Sequence, residues 1–265
     1  MYELEDVKGP IHRIEQRSQP SKHLESLSSY RDFESFDVEF SPARQILTIN
    51  DYARSGALYE STVFVYGEGG KLLRTLRFDG NDDFIDKMEC HYDVDGKKTG
   101  WTGYSSDGEA TRRCVYRYSE NLLASFSTVD IHGRPILQKD FVYADGKLVK
   151  AFTRYYGWDG NLDEIWTLDF DSSERLIQTY GHHADGRPLG DGRYTYEYDE
   201  EGKKIGSLSF NDQSPNEGPN AFTIFKYTED RYGNWIERRK FHRFQGDPEW
   251  SKKVTHRKLQ YYQEG

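Results

Sequence analysis

Few residues in this chain have the types and spacing that catalysis or metal binding needs. His182 and His183 are adjacent, and Asp185 follows them. Neighbouring residues of a strand point to opposite faces of its sheet, so these two imidazoles cannot readily bind one metal ion. The sequence contains no nucleophile elbow, phosphate loop or paired-histidine zinc motif. We therefore expect a non-enzymatic protein with no catalytic residue, no metal and no cofactor.

Acidic residues are concentrated between positions 79 and 89. This segment contains Asp79, Asp82, Asp83, Asp86 and Glu89. Carboxylates at this density could form a docking surface for a basic partner protein, or they could simply keep a turn soluble. Paired carboxylates also serve glycosidases, but the separation of such a pair cannot be taken from sequence spacing. The five residues are a candidate partner-binding site.

Three tryptophans lie in or beside predicted turns. They are Trp101, Trp158 and Trp250, and Asp159 follows the second of them. Exposed indoles at loop tips are common anchors of protein interfaces. The same rings could instead bind sugars by stacking, or could cap the ends of a curled sheet. We include these four residues in the predicted partner-binding set.

A repeating unit must position these side chains, and it is clearest at residues 192–210. Tyr194, Tyr196 and Tyr198 alternate there, an acidic turn with Gly202 follows, and a second alternating run leads away. This pattern is typical of a β-hairpin. We call the last aromatic residue before each such turn the anchor residue, and it recurs at a period of about 26 residues that lengthens toward the C-terminus. The anchor residues are Phe40, Tyr66, Tyr92, Tyr118, Tyr143, Phe170, Tyr198, Tyr227 and, as a last candidate, Tyr261.

The anchor pattern predicts an all-β fold. Most positions two and four residues before an anchor residue are aromatic, aliphatic or small, whereas the interleaved positions are mostly polar. Such alternation is typical of antiparallel strands with one buried face. Nine units with two turns each give about eighteen strands of about eight residues, and a sheet of that width curls. We predict a continuous curled antiparallel meander of tandem hairpin repeats of about 26 residues, with the anchor residues on its concave, buried side.

No linker interrupts the repeats, so we predict one domain over residues 1–265. Residues 1–35 would form an N-terminal strand and loop, with a strand at 7–14 and a loop or short helix at 20–29. Residues 36–262 would form the hairpins. Cys90 and Cys114 each lie an even number of residues before an anchor residue. We expect both thiols to be free and buried on the anchor side.

Charge and hydropathy restrict the partners. The formal net charge of −9 repels nucleic acids and anionic membranes. The mean hydropathy of −0.91 is very low, but 20 tyrosines argue against a disordered chain. The first residues lack the basic and apolar regions of a signal peptide. We expect a cytoplasmic protein with a basic partner protein, as a monomer or as a weak homodimer through an edge strand.

Two segments resemble a known repeat family. Residues 196–203, Tyr-Glu-Tyr-Asp-Glu-Glu-Gly-Lys, resemble the YD repeat of the RHS superfamily. Residues 227–235 end in Gly-Asn-Trp and are similar to repeats of bacterial RHS-like and antitoxin-type proteins, as is the opening at 7–11. The period is longer than that of the usual YD repeat, and the turns at 118–121 and 170–173 are degenerate.

The resemblance implies a function for a chain of this size. Short standalone proteins of this family include immunity factors encoded beside toxins, whereas long members form shells around toxins. We accordingly expect a bacterial immunity protein that neutralises a cognate toxin by covering its active site. The alternatives are a carbohydrate-binding or surface module and, less favoured, a hydrolase.

Overall fold

A computed structural model describes residues 7–19, 35–53, 55–211 and 218–262. Eighteen β-strands account for most of these residues, and a single 3-10 turn spans Glu68–Gly70. The predicted all-β class is therefore confirmed, while the loop or helix predicted at 20–29 lies outside the described residues. The strands, numbered in chain order, are β1 Ile11–Gln19, β2 Phe36–Phe40, β3 Ile46–Tyr52, β4 Leu58–Tyr66, β5 Leu72–Asp79, β6 Phe84–Tyr92, β7 Lys98–Ser105, β8 Ala110–Ser119, β9 Leu122–Asp130, β10 Pro135–Ala144, β11 Lys147–Tyr156, β12 Leu162–Phe170, β13 Leu176–His183, β14 Pro188–Tyr198, β15 Lys204–Phe210, β16 Ala221–Glu229, β17 Trp235–Phe244 and β18 Ser251–Tyr261.

The sheet closes into a barrel. Each strand pairs antiparallel with its neighbours along the chain, and β1 pairs with both β2 and β18. The sequence predicts a curled meander of RHS-type repeats, and the closed barrel corrects that prediction. Eighteen strands curl far enough for the last to reach the first, and their pairing satisfies the backbone groups that two edges would leave unbonded. The described strands therefore offer no edge to a second copy of the chain.

A turn of one type recurs between the strands. In residues 93–97 the amide of Asp93 donates to the carbonyl of Lys97 over 2.9 Å, and the amide of Gly96 donates to the carbonyl of Asp93 over 3.0 Å. The carboxylate of Asp93 also accepts hydrogen bonds from the amides of Asp95 and Lys97. Gly96 has a φ of 81°, which glycine adopts without strain. Where a repeat has both the acidic residue and the glycine, as at Asp199 and Gly202 or Asp230 and Gly233, the two residues fix the turn.

The anchor tyrosines bridge consecutive units of the barrel. Tyr92 directly follows a β-bulge, and its hydroxyl donates to the carbonyl oxygen of Leu72 over 2.8 Å. The pairing of β5 with β6 begins only at Arg74, so this carbonyl lies beyond the ladder between these two strands. The tyrosine supplies a donor to a backbone group that the ladder leaves unmatched. The same bond joins Tyr118 to Lys98, Tyr143 to Leu123, Tyr198 to Leu176 and Tyr227 to Lys204.

Exposure identifies which face of the sheet points inward. On β8, Cys114 of the anchor face is buried, whereas Val115 and Arg117 of the other face are exposed. On β16, Thr223 is buried and Ile224 is exposed. The concave side of a closed sheet crowds its side chains more than the convex side does. The anchor face therefore lines the interior, as the sequence predicts.

The apolar core lies where the ends of the chain meet. Ile14 on β1 and Val38 on β2 are both 0% exposed, and they face each other across the two strands. Ile49 continues this row on β3. Asn234, in the turn before β17, accepts a hydrogen bond from the amide of Lys8 and donates one to its carbonyl, over 2.6 and 2.8 Å. Packing and hydrogen bonds thus join β1, and the residues just before it, to the rest of the barrel.

A buried carboxylate stabilises the outward face of the sheet where β1 pairs with β2. Asp37 on β2 is 2% exposed and accepts hydrogen bonds from Arg13, Arg17 and Tyr52 over 2.7, 2.6 and 2.9 Å. Burial raises the pKa of Asp37, but the hydrogen bonds from Arg17, Arg13 and Tyr52 outweigh burial and leave the pKa below its ordinary value. The ionised form of Asp37 therefore stabilises the closed barrel.

We predict that Asp37→Asn lowers the free energy of unfolding by about 2 kcal/mol at pH 7, because hydrogen bonds from two guanidinium groups lose their charged acceptor. A depressed folded pKa contributes stability above the unfolded pKa, and that stability is lost as pH falls through the folded pKa. The gap between wild type and variant should therefore narrow as pH falls below about 4, the ordinary pKa of an aspartate in the unfolded chain. Urea unfolding at several pH values measures it, and a gap that does not change with pH would contradict the assignment.

We also predict that Tyr92→Phe lowers the free energy of unfolding by about 1 kcal/mol, since the carbonyl of Leu72 loses its donor. Tyr104→Phe is the matched control. The ring of Tyr104 lies beneath the ammonium of Lys87, and its hydroxyl has no hydrogen bond within the described residues. Equal losses in the two variants, measured by urea unfolding, would show that the hydroxyl bridge contributes nothing.

Candidate functional site

The meander places alternate turns at opposite ends of the barrel. The turns that follow the anchor residues lie at one end, which we call the anchor end. We call the other end the tryptophan rim. It consists of the turns β3–β4, β5–β6, β7–β8, β9–β10, β11–β12, β13–β14 and β17–β18, with the adjoining strand ends. Two of the three predicted tryptophans, Trp158 and Trp250, belong to this rim.

Exposed aromatic rings are confined to the tryptophan rim. Trp158, at the tip of the β11–β12 turn, is 97% exposed, and Phe244, at the end of β17, is 52% exposed. The anchor end exposes aliphatic side chains such as Val94 but no aromatic one within the described residues. Exposed aromatic residues at one end of a molecule are typical of an interaction surface. The six are Tyr59, Phe84, Tyr155, Trp158, Phe244 and Trp250.

Arginines hold the two rim tryptophans in place. Arg134, in the neighbouring turn, donates a hydrogen bond to the carbonyl of Trp158 over 3.3 Å, which fixes the backbone while the indole stays in water. The guanidinium of Arg243 lies 4.8 Å from the ring centre of Trp250. A positioned aromatic ring loses less entropy when it binds than a mobile one does. The rim is therefore a partly ordered surface.

The acidic segment is divided among three surfaces. Asp79, Asp82 and Asp83 belong to the rim turn between β5 and β6. Asp86 points inward and accepts a hydrogen bond from Arg77 over 2.7 Å. Glu89 points outward and binds Lys87 over 2.7 Å. Because neighbouring strand positions alternate between faces, these five carboxylates do not form one docking surface.

Asp79 and Asp159 both shape the turns that hold them. Asp79 accepts hydrogen bonds from the amides of Asn81 and Asp83 over 2.8 and 3.0 Å, and these bonds hold its pKa below the ordinary value. Asp159 accepts one from the amide of Asn161 over 3.0 Å, with the same effect on its pKa. Each has a structural role at the rim, whereas the exposed Asp82 and Asp83 remain available to a partner.

Trp101 is a predicted site residue whose position in the structure differs from the prediction. The sequence places it in or beside a turn, but it lies within β7 and points inward, with Cys90 and Cys114 opposite it on β6 and β8. In the sequence, Gly100 and Gly103 on either side of Trp101 suggest a turn. A Cβ on Gly100 would lie 2.1 Å from the carbonyl oxygen of Cys114, so this glycine instead permits close approach of a strand. Trp101 is therefore not part of the rim.

The same row confirms the expected face of both cysteines, but the expected burial only for Cys114, since Cys90 is half-buried. Cys90 and Cys114 both point inward, and both are free. The strand that carries Trp101 separates their backbones by two strand spacings, about 10 Å, which is too far for a disulfide. Burial raises the pKa of the Cys114 thiol, so this thiol stays protonated at neutral pH.

The described carboxyl groups with a shifted pKa share one direction. Every carboxyl group with a shifted pKa lies below its ordinary value, because hydrogen bonds from amides or basic side chains outweigh burial where burial acts. A general acid needs a raised pKa instead. No group of three His, Cys, Asp or Glu side chains able to hold a metal ion occurs in the described part of the chain. Nδ1 of His182 donates a hydrogen bond to the carbonyl oxygen of His183 over 2.9 Å.

Comparisons with known proteins give no family. No family model matches the chain, and no curated protein matches it. A porin-like protein from Bacteroides uniformis aligns over 96% of this chain and 99% of its own, with 11% identity and a TM-score of 0.48. A porin-like protein from Bacteroides vulgatus covers the same shares, with 10% identity and a TM-score of 0.27. Among the described residues, no helix is long and apolar enough to cross a membrane.

A third solved structure, the complex TcdB2-TccC3-Cdc42, aligns with 86% of this chain but with only 16% of its own, at 11% identity and a TM-score of 0.23. At these identities and TM-scores none of the similarities indicates what this chain does.

We predict that Asp79→Ala lowers the midpoint of thermal unfolding, because the amides of Asn81 and Asp83 lose their acceptor. Asp83→Ala, in the same turn, removes an exposed carboxylate that makes no such bond and should leave the midpoint unchanged. Differential scanning calorimetry of the two variants tests the structural role of Asp79. A larger effect of Asp83→Ala would reverse the assignment.

Proposed function

We propose that this protein binds another protein through the tryptophan rim and catalyses no reaction itself. The confinement of all six exposed aromatic residues of the described chain to that rim carries the proposal. Tryptophan and tyrosine supply most of the binding energy at typical interfaces.

The size of the rim suits a protein rather than a small molecule. Eighteen strands spaced about 4.8 Å apart give a circumference of at least about 85 Å, and hence a width of about 27 Å. A domain of 100 residues has a radius of gyration of about 13 Å, so one end of the barrel can cover one face of such a domain. This match supports inhibition by occlusion.

Charge supports a basic partner. The chain has a formal net charge of −9, and Asp82 and Asp83 are exposed beside Phe84 at the rim. Opposite charge speeds association and favours one orientation of the two proteins. We propose that the partner is a basic toxin and that this protein is its immunity factor, with the YD-like segments at 196–203 and 227–235 as the support for that role.

The outward face supports an aqueous environment. Lys150 and Asp169 lie opposite each other there and form an ion pair of 3.0 Å, and Arg154 binds Asp140 on the neighbouring pair of strands. Charged pairs on the outward face of a barrel wall are stable in water and costly in hydrocarbon. A protein that works beside a toxin inside the cell would present such a surface.

The test uses the product of the gene adjacent to this one as the candidate partner. We predict that Trp158→Ala weakens its binding by roughly 30-fold or more, as loss of a hot-spot tryptophan does. Val94→Ala is the matched control, since Val94 is 102% exposed in a turn at the anchor end. Biolayer interferometry measures both dissociation constants, and co-expression in growing cells measures protection.

Two results would contradict the proposal. An equal effect of both variants would remove the rim from the interface, and absence of protection would remove the immunity role. Trp158 could also serve as a stacking platform for sugars. A glycan array that binds wild type and loses its signal with Trp158→Ala would favour the carbohydrate-binding alternative.

A further inference from the structure

One inward-facing lysine has no polar partner among the residues that the structure describes. Lys139 lies in the middle of β10, and within that part of the chain its ammonium makes no hydrogen bond and no ion pair. The register directs it inward, because it pairs with Phe126 of β9 and with the buried Thr153 of β11. A half-buried cation without a counter-charge costs free energy, so its presence needs an explanation.

The inward positions beside Lys139 are neutral. Leu137 and Phe141 lie on either side of it on the same face of β10. Asp140, the next residue in sequence, points outward and binds Arg154. Burial is the cause that lowers the pKa of Lys139 from its ordinary value. A larger share of this amine is therefore neutral than of a lysine in water, and the neutral amine is the nucleophile.

Lys150 on the neighbouring strand β11 provides a contrast. It points outward, and its ammonium lies 3.0 Å from the carboxylate of Asp169. The hydrogen bond to Asp169 raises the pKa of Lys150. Two lysines of one hairpin thus differ in opposite directions, and the inward one is the more reactive amine.

A row of aromatic rings begins beside Lys139. Its ammonium lies 5.4 Å from the ring centre of Phe141. The ring centre of Phe141 lies 6.1 Å from that of Phe126, which lies 5.8 Å from that of Tyr116 on β8. We call Tyr116, Phe126 and Phe141 the aromatic row. Rings at such distances form an apolar surface on which a further ring can pack, so the amine lies at the end of a surface suited to an aromatic ligand.

Two kinds of ligand react or pair with an isolated amine. A carboxylate pairs with the ammonium form, and a carbonyl carbon reacts with the neutral form. Burial at Lys139 disfavours the ammonium form, and the apolar surface beside it disfavours a charged ligand. Both observations favour the carbonyl compound.

We propose that Lys139 forms an imine with an aromatic aldehyde that packs against the aromatic row. The lone pair of the amine nitrogen attacks the carbonyl carbon, and a C–N bond forms. The carbonyl oxygen then leaves as water with the two hydrogens of the neutral amine, and a C=N bond remains. The reaction consumes no oxidant or reductant, and it is a reversible, stoichiometric modification. The site lies on the inward face of the barrel, so it does not depend on the partner proposed for the tryptophan rim.

The test measures which lysine reacts. The full-length protein is incubated at pH 7 with benzaldehyde and sodium cyanoborohydride, which reduces an imine to a stable secondary amine. Peptide mass spectrometry gives the rate of modification at each lysine. We expect Lys139 to react roughly tenfold faster than Lys150, because its amine is neutral more often and the aromatic row holds the aldehyde beside it.

A matched pair of variants separates recognition by the rings from damage to the fold. Phe126→Leu interrupts the aromatic row, and Phe152→Leu makes the same change on the outward face of β11. Phe126→Leu should slow the reaction of Lys139 with benzaldehyde roughly threefold or more, because one ring contact is lost. It should leave the reaction with acetaldehyde, which has no ring, unchanged. Phe152→Leu should change neither rate.

Three results would overturn the proposal. The first is modification of Lys139 and Lys150 at equal rates, and the second is a fast reaction that persists in Lys139→Arg. The third is an equal effect of Phe126→Leu on both aldehydes, because the ring would then only support the wall of the barrel.

Discussion

The structure depends on the antiparallel pairing of β1 with β18 and β2. The other pairings join strands that are neighbours in sequence, so they form locally. The pairing of β1 with β18 joins residues about 240 positions apart. The entropic cost of closing a loop grows only with the logarithm of its length, so one long closure is affordable after the hairpins have formed. Asp37 and Asn234 supply the charged and polar contacts at that closure, and the most buried apolar residues lie beside it.

Closure also decides what each side chain can contact. The main backbone contacts of each strand are with its two neighbours, so a side chain packs along the wall of the barrel and not against an opposite layer. Small residues such as Cys114 and Thr223 are buried on the crowded inward face. The anchor tyrosines, which are larger, lie near the strand ends, and five of them donate to a backbone carbonyl of the preceding strand. Stability should accordingly be shared among adjacent units, as in repeat proteins.

Much of the fold follows from local sequence, because strand period and turn chemistry are local. The tyrosine alternation at 194–198 and the turn at 199–202 predict a hairpin. The even spacing of Cys90 and Cys114 from their anchor residues predicts the face on which each cysteine lies. Closure depends on accumulated curvature, which no single repeat encodes. The acidic segment at 79–89 does not form one surface for a related reason. A high density of carboxylates along the chain does not take into account that neighbouring strand residues alternate between faces, and this alternation places Asp86 inside and Glu89 outside.

The last hairpin shows what else counting by two along a strand can predict, since half of its Lys and Arg side chains point inward. Counting by two from the anchor Tyr227 across each hairpin places Arg238 and Lys240 on one face, and counting along the last strand places Lys253 and Arg257 on that face too. The positive charge of this hairpin is visible in the sequence, but its direction becomes clear only when the faces are counted. The rim needs no such count, because Trp158 lies at a turn tip.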